Sequence, residues 1–406
     1  MCARVKADAW VQRKFCDFYG VKSGYAFKLS DYVDDGVAIV NGESIQAGEI
    51  KETNLNYLPE SFRDEYTEFC VSADDIVLGL NRPIISGELK IAKIPQKLDN
   101  SLLYQRAGKV EYKNEMDTDF SYTFLSKEIY RHTIKEAVGS DQPFISTSKL
   151  SNWAFIIPTS SVEQTAIGNF FRTLDTTITL HKRKLDGLKV LKSAYLQQMF
   201  PRSRENVPRI RFTGFSGDWE TKILKEISNK VTEKNSDKEF TETLTNSAEY
   251  GIINQREFFD KNISNEKNLG GYYVVRPDDF VYNPRISNHA PVGPIKRNLL
   301  GRTGVMSPLY YVFRVAAGNL TFIEKYFESV YWHEFMKLNG DNGVRADRFN
   351  IKDSVFEEMP IPFPSLSEQK AIGELFHNLD NQIIAHQIKL DNLKQLKSVY
   401  LHKMFV

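Results

Sequence analysis

The chain has 406 residues, 41% hydrophobic and 26% charged, a balance that fits a soluble globular protein of two or more domains. Its 53 basic and 52 acidic residues leave a net charge of +1, so no bulk charge excess marks a nucleic-acid or membrane binder. Three cysteines without CxxC spacing (Cys2, Cys16, Cys70) argue against a disulfide framework or a structural zinc site, and the lack of a signal peptide or bilayer-length apolar run points to the cytoplasm.

The first 158 residues read as mixed structure rich in short strands. Val37 to Val40, Asn41-Gly42 and Glu49-Ile50 suggest strand, turn and strand. Ile76 to Leu80 is an apolar strand closed by Asn81-Arg82-Pro83, and Ile84 to Ile94 reads as a hairpin around Gly87. Tyr122 to Ile134 looks helical, Gly139 to Ser148 is a loop, and Trp153 to Pro158 is a strand stopped by proline.

An internal repeat follows. Glu163 to Phe200 and Glu368 to Phe405 align without a gap at an offset of 205, with 22 of 38 positions identical. The seam positions of the first copy are Ile167, Phe171, Leu174, Ile178, His181, Leu185 and Leu188. Those of the second are Ile372, Phe376, Leu379, Ile383, His386, Leu390 and Leu393. Alternating steps of four and three are a coiled-coil seam, and continuing through Leu191 and Tyr195, or Leu396 and Tyr400, implies a local shift of phase. At ~1.5 Å per residue each helix is roughly 55 Å long and needs a partner along its seam. The simplest partner is the other copy, antiparallel, which gives the chain a pseudo-twofold axis. His181 and His386 share one seam position; a metal site or pH switch there needs further ligands that the spacing does not supply, so each is read as a hydrogen-bonded residue that fixes register.

An arginine-rich linker, Pro201 to Gly217, leads to Trp219 to Ile227, which echoes Trp10 to Phe18. Val275 to Tyr282 echoes Val71 to Leu78, and Ile361-Pro362 echoes Ile157-Pro158. The order is therefore domain, helix, domain, helix, with expected boundaries 1–158, 159–205, 206–363 and 364–406.

Catalytic signatures are missing: neither a phosphate-binding GxxxxGK[ST] loop nor a GxGxxG turn occurs, and Asn283-Pro284-Arg285 breaks the Asn-Pro-Pro-aromatic signature of amino methyltransferases. Asp75 with Glu88 and Lys90 resembles an acid followed by ExK and stands as a metal-nuclease alternative, against which the plain reading is surface charge on a hairpin. Charge distribution carries more: Phe280 to Ile323 contains no Asp or Glu. This stretch and the loops around it point to DNA or another polyanion. Candidate contacts are Arg82, Lys90, Lys93, Ser140, Gln142 and Lys149 in the first half. In the second half they are Asn283, Arg285, Lys296, Arg297, Arg302, Arg345 and Arg348.

The two-fold EQxAIGxxFxxLDxxI…H…KLxxLKxLKxxYLxxMF pattern, with the RFTGFSGDWE run from Arg211 to Glu220, resembles the specificity (S) subunit of type I restriction–modification systems across the whole chain. The resemblance implies an α+β architecture: two pseudo-twofold-related α/β target-recognition domains separated by two long antiparallel coiled-coil helices. It implies that each domain reads one half of a split double-stranded DNA site, while the helices set the spacer and bind two methyltransferase subunits, joined by restriction subunits. It also implies a chain without catalysis of its own, with S-adenosylmethionine, ATP and Mg on the partner subunits. The remaining alternatives are the nuclease above and an adaptor that ignores DNA.

Overall fold

The computed structural model describes residues 10–53, 55–137, 144–202, 205–258, 266–342 and 347–405. They form two compact units that do not follow the chain order. One comprises residues 1–181 and 389–406, the other residues 182–388. Each unit thus contains one globular domain, a segment of the first long helix (Ser161–Gln198) and a segment of the second (Leu366–Met404).

The two domains share a four-stranded sheet. In the first the strand order is Tyr19–Ser23, Ala107–Tyr112, Ile76–Gly79, Ile91–Lys93. In the second it is Ser228–Lys230, Tyr311–Val315, Phe280–Tyr282, Ile295–Arg297, and every neighbouring pair in both sheets is antiparallel. The repeat therefore extends to the globular parts. Each domain is closed by its entry strand pairing antiparallel with its exit strand. Trp10–Lys14 lies against Ala154–Pro158, and Glu220–Ile223 against Pro360–Phe363. The exit strand then runs straight into a long helix.

The Asp-Asp echo marks the turn before the central strand. Asp74 and Asp278 both have left-handed backbones, with φ of 68° and 69°, a conformation that short polar side chains tolerate best after glycine. The next aspartate caps that turn. Asp75 accepts from the Ser72 amide and pairs with Lys109 at 2.5 Å. Asp279 accepts from the Arg276 amide and pairs with Arg314 at 2.7 Å.

Helix Thr118–Glu136 of the first domain is represented in the second by two shorter helices, Leu320–Glu328 and Trp332–Asn339. Asp117 and Asn319 cap the N-termini of Thr118–Glu136 and Leu320–Glu328. These caps sit against the long helices at two glycines of the repeat. A Cβ on Gly168 would lie 2.5 Å from the Asp117 carboxylate, and one on Gly373 would lie 2.7 Å from the Asn319 amide oxygen. The glycine of the AIG motif is thus the gap into which a domain helix seats.

In the first unit Asp175 pairs with Lys397 at 2.6 Å, Phe170 meets Tyr400, and Phe171 stacks on Phe405. In the second Lys192 pairs with Asp380 at 2.6 Å and Phe200 stacks on Phe376. Rising numbers on one helix meet falling numbers on the other, so the paired segments run antiparallel within each unit. The ion pairs are equivalent under the 205-residue offset.

Ile167, Phe171, Leu174, Leu185, Leu188, Ile372, Phe376, Leu379, Leu390 and Leu393 are buried, while Ile178, His181, Ile383 and His386 are half-buried. The expected shift of phase does not occur. Leu191 and Leu396 are exposed, and the buried face of the first helix steps from Leu188 to Lys192, Tyr195 and Met199 in unbroken steps of four, three and four. A lysine at the seam hid the register: its aliphatic stem packs inward and its ammonium reaches a carboxylate across the pair.

Two strand and loop expectations are corrected, and an expected hairpin is shorter than its predicted span. Glu49-Ile50 forms no strand; Ile50 makes a single bridge to Ile45, and Val37–Val40 instead pairs with Asn56–Leu58 and with Ser101–Leu103. Within the expected loop from Gly139, Thr147–Ser151 is a short helix capped by the Ser146 side chain, because a serine hydroxyl can satisfy the free amides of a first turn. The hairpin around Gly87 is short. Ile84–Ile85 pairs with Glu88–Leu89 across Ser86 and Gly87, both at positive φ as a type I′ turn requires.

Candidate nucleic-acid interface

The acid-free stretch of sequence is not an acid-free surface. Arg302 is gripped by both carboxylate oxygens of Glu242 at 2.8 Å, and this pairing holds the Glu242 carboxyl below the usual range. Arg314 is held by Asp279. The Arg297 side chain is 15% exposed and lies between Asp278 at 2.9 Å and Glu324 at 3.2 Å. Lys296 faces Glu328, Lys325, Lys192 and Glu324, and burial lowers its pKa. The Asn283 amide donates to the Asn246 carbonyl and accepts from the Arg285 amide, so both its ends are committed to the fold. Asn283, Arg297 and Arg302 are thus engaged by the fold of the unbound chain: a basic run carries open charge only where the chain does not fold acids onto it.

Two of the candidate cations in the second domain remain open. Arg285 and Arg348 are both exposed, and neither has an ion pair among the described residues. The loop after the central strand brings them together: Arg285 bridges Arg348, the Phe349 amide donates to the Pro284 carbonyl, and the Ile286 amide donates to the Asp347 carbonyl. They line a cleft of about 560 Å³ with Asn246, Gln255, Ser287, Ser307 and Tyr310. Among the described residues, no acidic side chain lines this cleft. A neighbouring hollow of about 400 Å³ shares Pro284, Leu309, Tyr310 and Arg348 with it. Arginines at the rim of a concave, acid-free wall with hydroxyl and amide groups suit a polyanion whose edge carries hydrogen-bonding groups.

The first domain repeats the arrangement. Asn81, beside Arg82 in the loop after the central strand, bridges Phe144, and the Ile145 amide donates to the Leu80 carbonyl. Arg82 is exposed with a left-handed backbone, φ 45°, and Phe144 is 63% exposed. Other candidates there are spoken for. Lys93 pairs with Asp119, which also takes Arg172 at 3.0 Å, and exposed Lys149 bonds Glu136 at 2.6 Å. Lys90 is corrected outright. It is 6% exposed, donates to the Gly42 carbonyl at 2.8 Å, and burial lowers its pKa. Ser140, Gln142 and Arg345 lie outside the described residues.

The nuclease alternative fails on the same geometry. Asp75 is used by its turn and Lys109, Glu88 is exposed on the hairpin, and Lys90 points at a backbone carbonyl. Among the described residues there is no metal-ligating cluster of His, Cys, Asp and Glu, and no helix is long and apolar enough to cross a membrane. Sequence reasoning missed Gln255 and Tyr310. Tyr310 lies inside the acid-free stretch but carries no charge, and Gln255 lies outside it in an amide- and hydroxyl-rich segment from Thr243 to Gln255.

The family model described as "Type I restriction modification DNA specificity domain" matches twice, over residues 7–190 and 216–395. The chain belongs to this family. Each match spans one domain and most of the long helix that follows it. Among its relatives, the type I restriction enzyme MjaVIII specificity subunit of Methanocaldococcus jannaschii is 30% identical over 187 residues, 46% of this chain and 44% of the relative. The EcoAI specificity subunit of Escherichia coli is 26% identical over 159 residues, 39% of this chain and 27% of the relative. The matched regions thus span less than half the length of either relative. The fold is similar to that of a type I restriction–modification S subunit from M. genitalium, with a TM-score of 0.62 and 14% identity over 99% of this chain and 98% of that one.

Proposed function

We propose that this chain is a DNA-sequence specificity subunit without catalysis of its own. Each domain reads one half of a bipartite, asymmetric double-stranded site. The observation that carries this reading is the acid-free cleft around Arg285 and Arg348, matched in the first domain by the Asn81–Phe144 bridge beside Arg82. Family membership supports it. The two long helices set the spacer and dock two methyltransferase subunits, which restriction subunits join. S-adenosylmethionine, ATP and Mg reside on those partners, and the complex works in the cytoplasm.

Two arginines separate this reading from a general basic surface. In the assembled methyltransferase complex, Arg285→Ala is expected to weaken recognition of the second domain's half-site by about 1–3 kcal/mol while leaving the other half-site unchanged. Arg302→Ala, which removes the grip on Glu242, should lower the thermal stability of the domain and leave discrimination intact. Duplexes altered in one half at a time provide the measurement. Equal loss for changes in either half, or an assembled complex with no measurable DNA binding, would overturn the assignment and favour an adaptor that ignores DNA.

The spacer function has its own test. Inserting four residues, about one helical turn, between Thr176 and His181 is expected to lengthen the spacer of the methylated motif. Modified-base sequencing reads it directly, and an unchanged spacer removes the helices from that role.

A further inference from the structure

The cleft of the second domain contains several amide side chains, and they are not equivalent. Asn246 is 2% exposed, and its nitrogen donates to the carbonyls of Val281 and Pro294, at 2.7 and 3.2 Å. That fixes the amide's orientation, and its oxygen is left buried without a partner. Asn283 is committed at both ends. Gln255 differs from both. It is half-buried, it lines the cleft, and no hydrogen bond to its side-chain amide is found among the described residues, its oxygen being buried and unpaired.

The backbone beneath Gln255 is held firmly. Its amide donates to the Thr243 carbonyl at 2.8 Å, directly after strand Gly251–Asn254, which pairs with Leu244–Ser247. On either side, Asn254 donates to Glu242 at 2.9 Å and accepts from the Arg256 amide at 2.9 Å. An uncommitted amide on an anchored backbone, in a cleft that also presents arginine donors, supplies both an acceptor and a donor in one plane once its terminal torsion, which has no sharp preference, turns the buried oxygen out into the cleft. Arginine donates only, so it cannot accept from the amino group of a base; a glutamine amide can pair with both N6 and N7 of adenine in the major groove.

We propose that Gln255 is a specificity-determining residue that reads one adenine in the half-site of the second domain through the adenine's N6 amino group and N7. This rests on the reading of that domain as a DNA reader. Arg285 and Arg348, at the same cleft, hold the duplex or read a neighbouring position.

The test uses the full chain assembled with its methyltransferase partners. Its probe is a duplex carrying the motif found by modified-base sequencing, with single base pairs replaced in turn. Gln255→Ala should lose roughly 5- to 150-fold discrimination at one A·T position of one half-site and keep it everywhere else, with an unchanged melting temperature. In the unaltered complex, 7-deazaadenine or purine at that position should weaken binding, whereas the Gln255→Ala complex should be indifferent to both. The proposal is overturned if Gln255→Ala discriminates every position as the unaltered chain does, or if no adenine analogue in that half-site distinguishes the two complexes. If the unaltered complex shows no sequence preference in that half-site, the reading of the domain itself fails.

Discussion

Phe405→Ala is expected to destabilise the first unit by about 3–5 kcal/mol, the range for truncating a fully buried phenylalanine. Phe405 is 1% exposed. Its ring lies 5.6 Å from Phe124, 5.9 Å from Phe171, 6.1 Å from Phe120 and 6.2 Å from Trp10, measured between ring centres. These partners come from the entry strand, the domain helix and the first long helix, so one side chain ties three elements together. The Lys127 ammonium donates to the Phe405 carbonyl, and to that of Leu401 at 3.1 Å, so the backbone stays anchored and the site cannot easily collapse onto the cavity. Denaturant unfolding of the full chain measures the loss. Phe405→Leu should recover part of it, and a change below about 1 kcal/mol for the alanine variant would show that this ring does not hold the unit together. Phe200, its equivalent at the end of the first helix, packs on Phe322, Tyr326 and Phe376 in the second unit.

Lys325→Met is expected to cost the second unit about 3 kcal/mol, because it strips the buried one of two lysine counter-ions from three half-buried carboxylates. The Lys325 side chain is 3% exposed and pairs with Glu328 at 2.6 Å, Asp380 at 2.7 Å and Glu324 at 3.0 Å. Lys192 joins Glu328 at 2.8 Å as well as Asp380. The cluster binds the domain helix to both long helices. Burial opposes the charge on Lys325, but the three carboxylates outweigh it and raise the lysine's pKa. Burial likewise opposes charge on Glu328 and Asp380, and the two lysines outweigh it and lower both.

The sign of the pH dependence follows. The carboxylate contribution is complete above the ordinary values of 4.5 for Glu328 and 3.8 for Asp380, and is lost as pH falls through their lower folded values. The lysine contribution is complete below 10.5 and is lost as pH rises through its raised folded value. The deficit of Lys325→Met should therefore be largest near neutral pH and shrink in acid, where the carboxylates protonate. A deficit that is constant with pH would mean that lost packing, not lost charge, explains it.

The long helices were legible in the sequence because a seam is a local property: steps of three and four along one helix decide which side chains can face a partner. Even there, Lys192 and Lys397 concealed the register past Leu188 and Leu393, since a lysine at the seam is recognisable only once Asp380 and Asp175 stand opposite. The Asp-Asp turn was legible as an echo, but its partners Lys109 and Arg314 were not, because they sit on a neighbouring strand.

The site was legible only in outline. The acid-free run from Phe280 to Ile323 located the right part of the second domain, yet Glu242, Asp278, Asp279 and Glu324 all lie outside that run and fold back onto Arg302, Arg297 and Arg314. Periodicity, turn chemistry and the absence of catalytic motifs are properties of residues near one another in the chain, and they set the repeat, the helices and the class of function. Which arginines keep open charge, and which amide stands free in the cleft, depends on partners tens of residues away. Coulomb attraction and hydrogen bonding act through space, so tertiary structure alone left Arg285, Arg348 and Gln255 available.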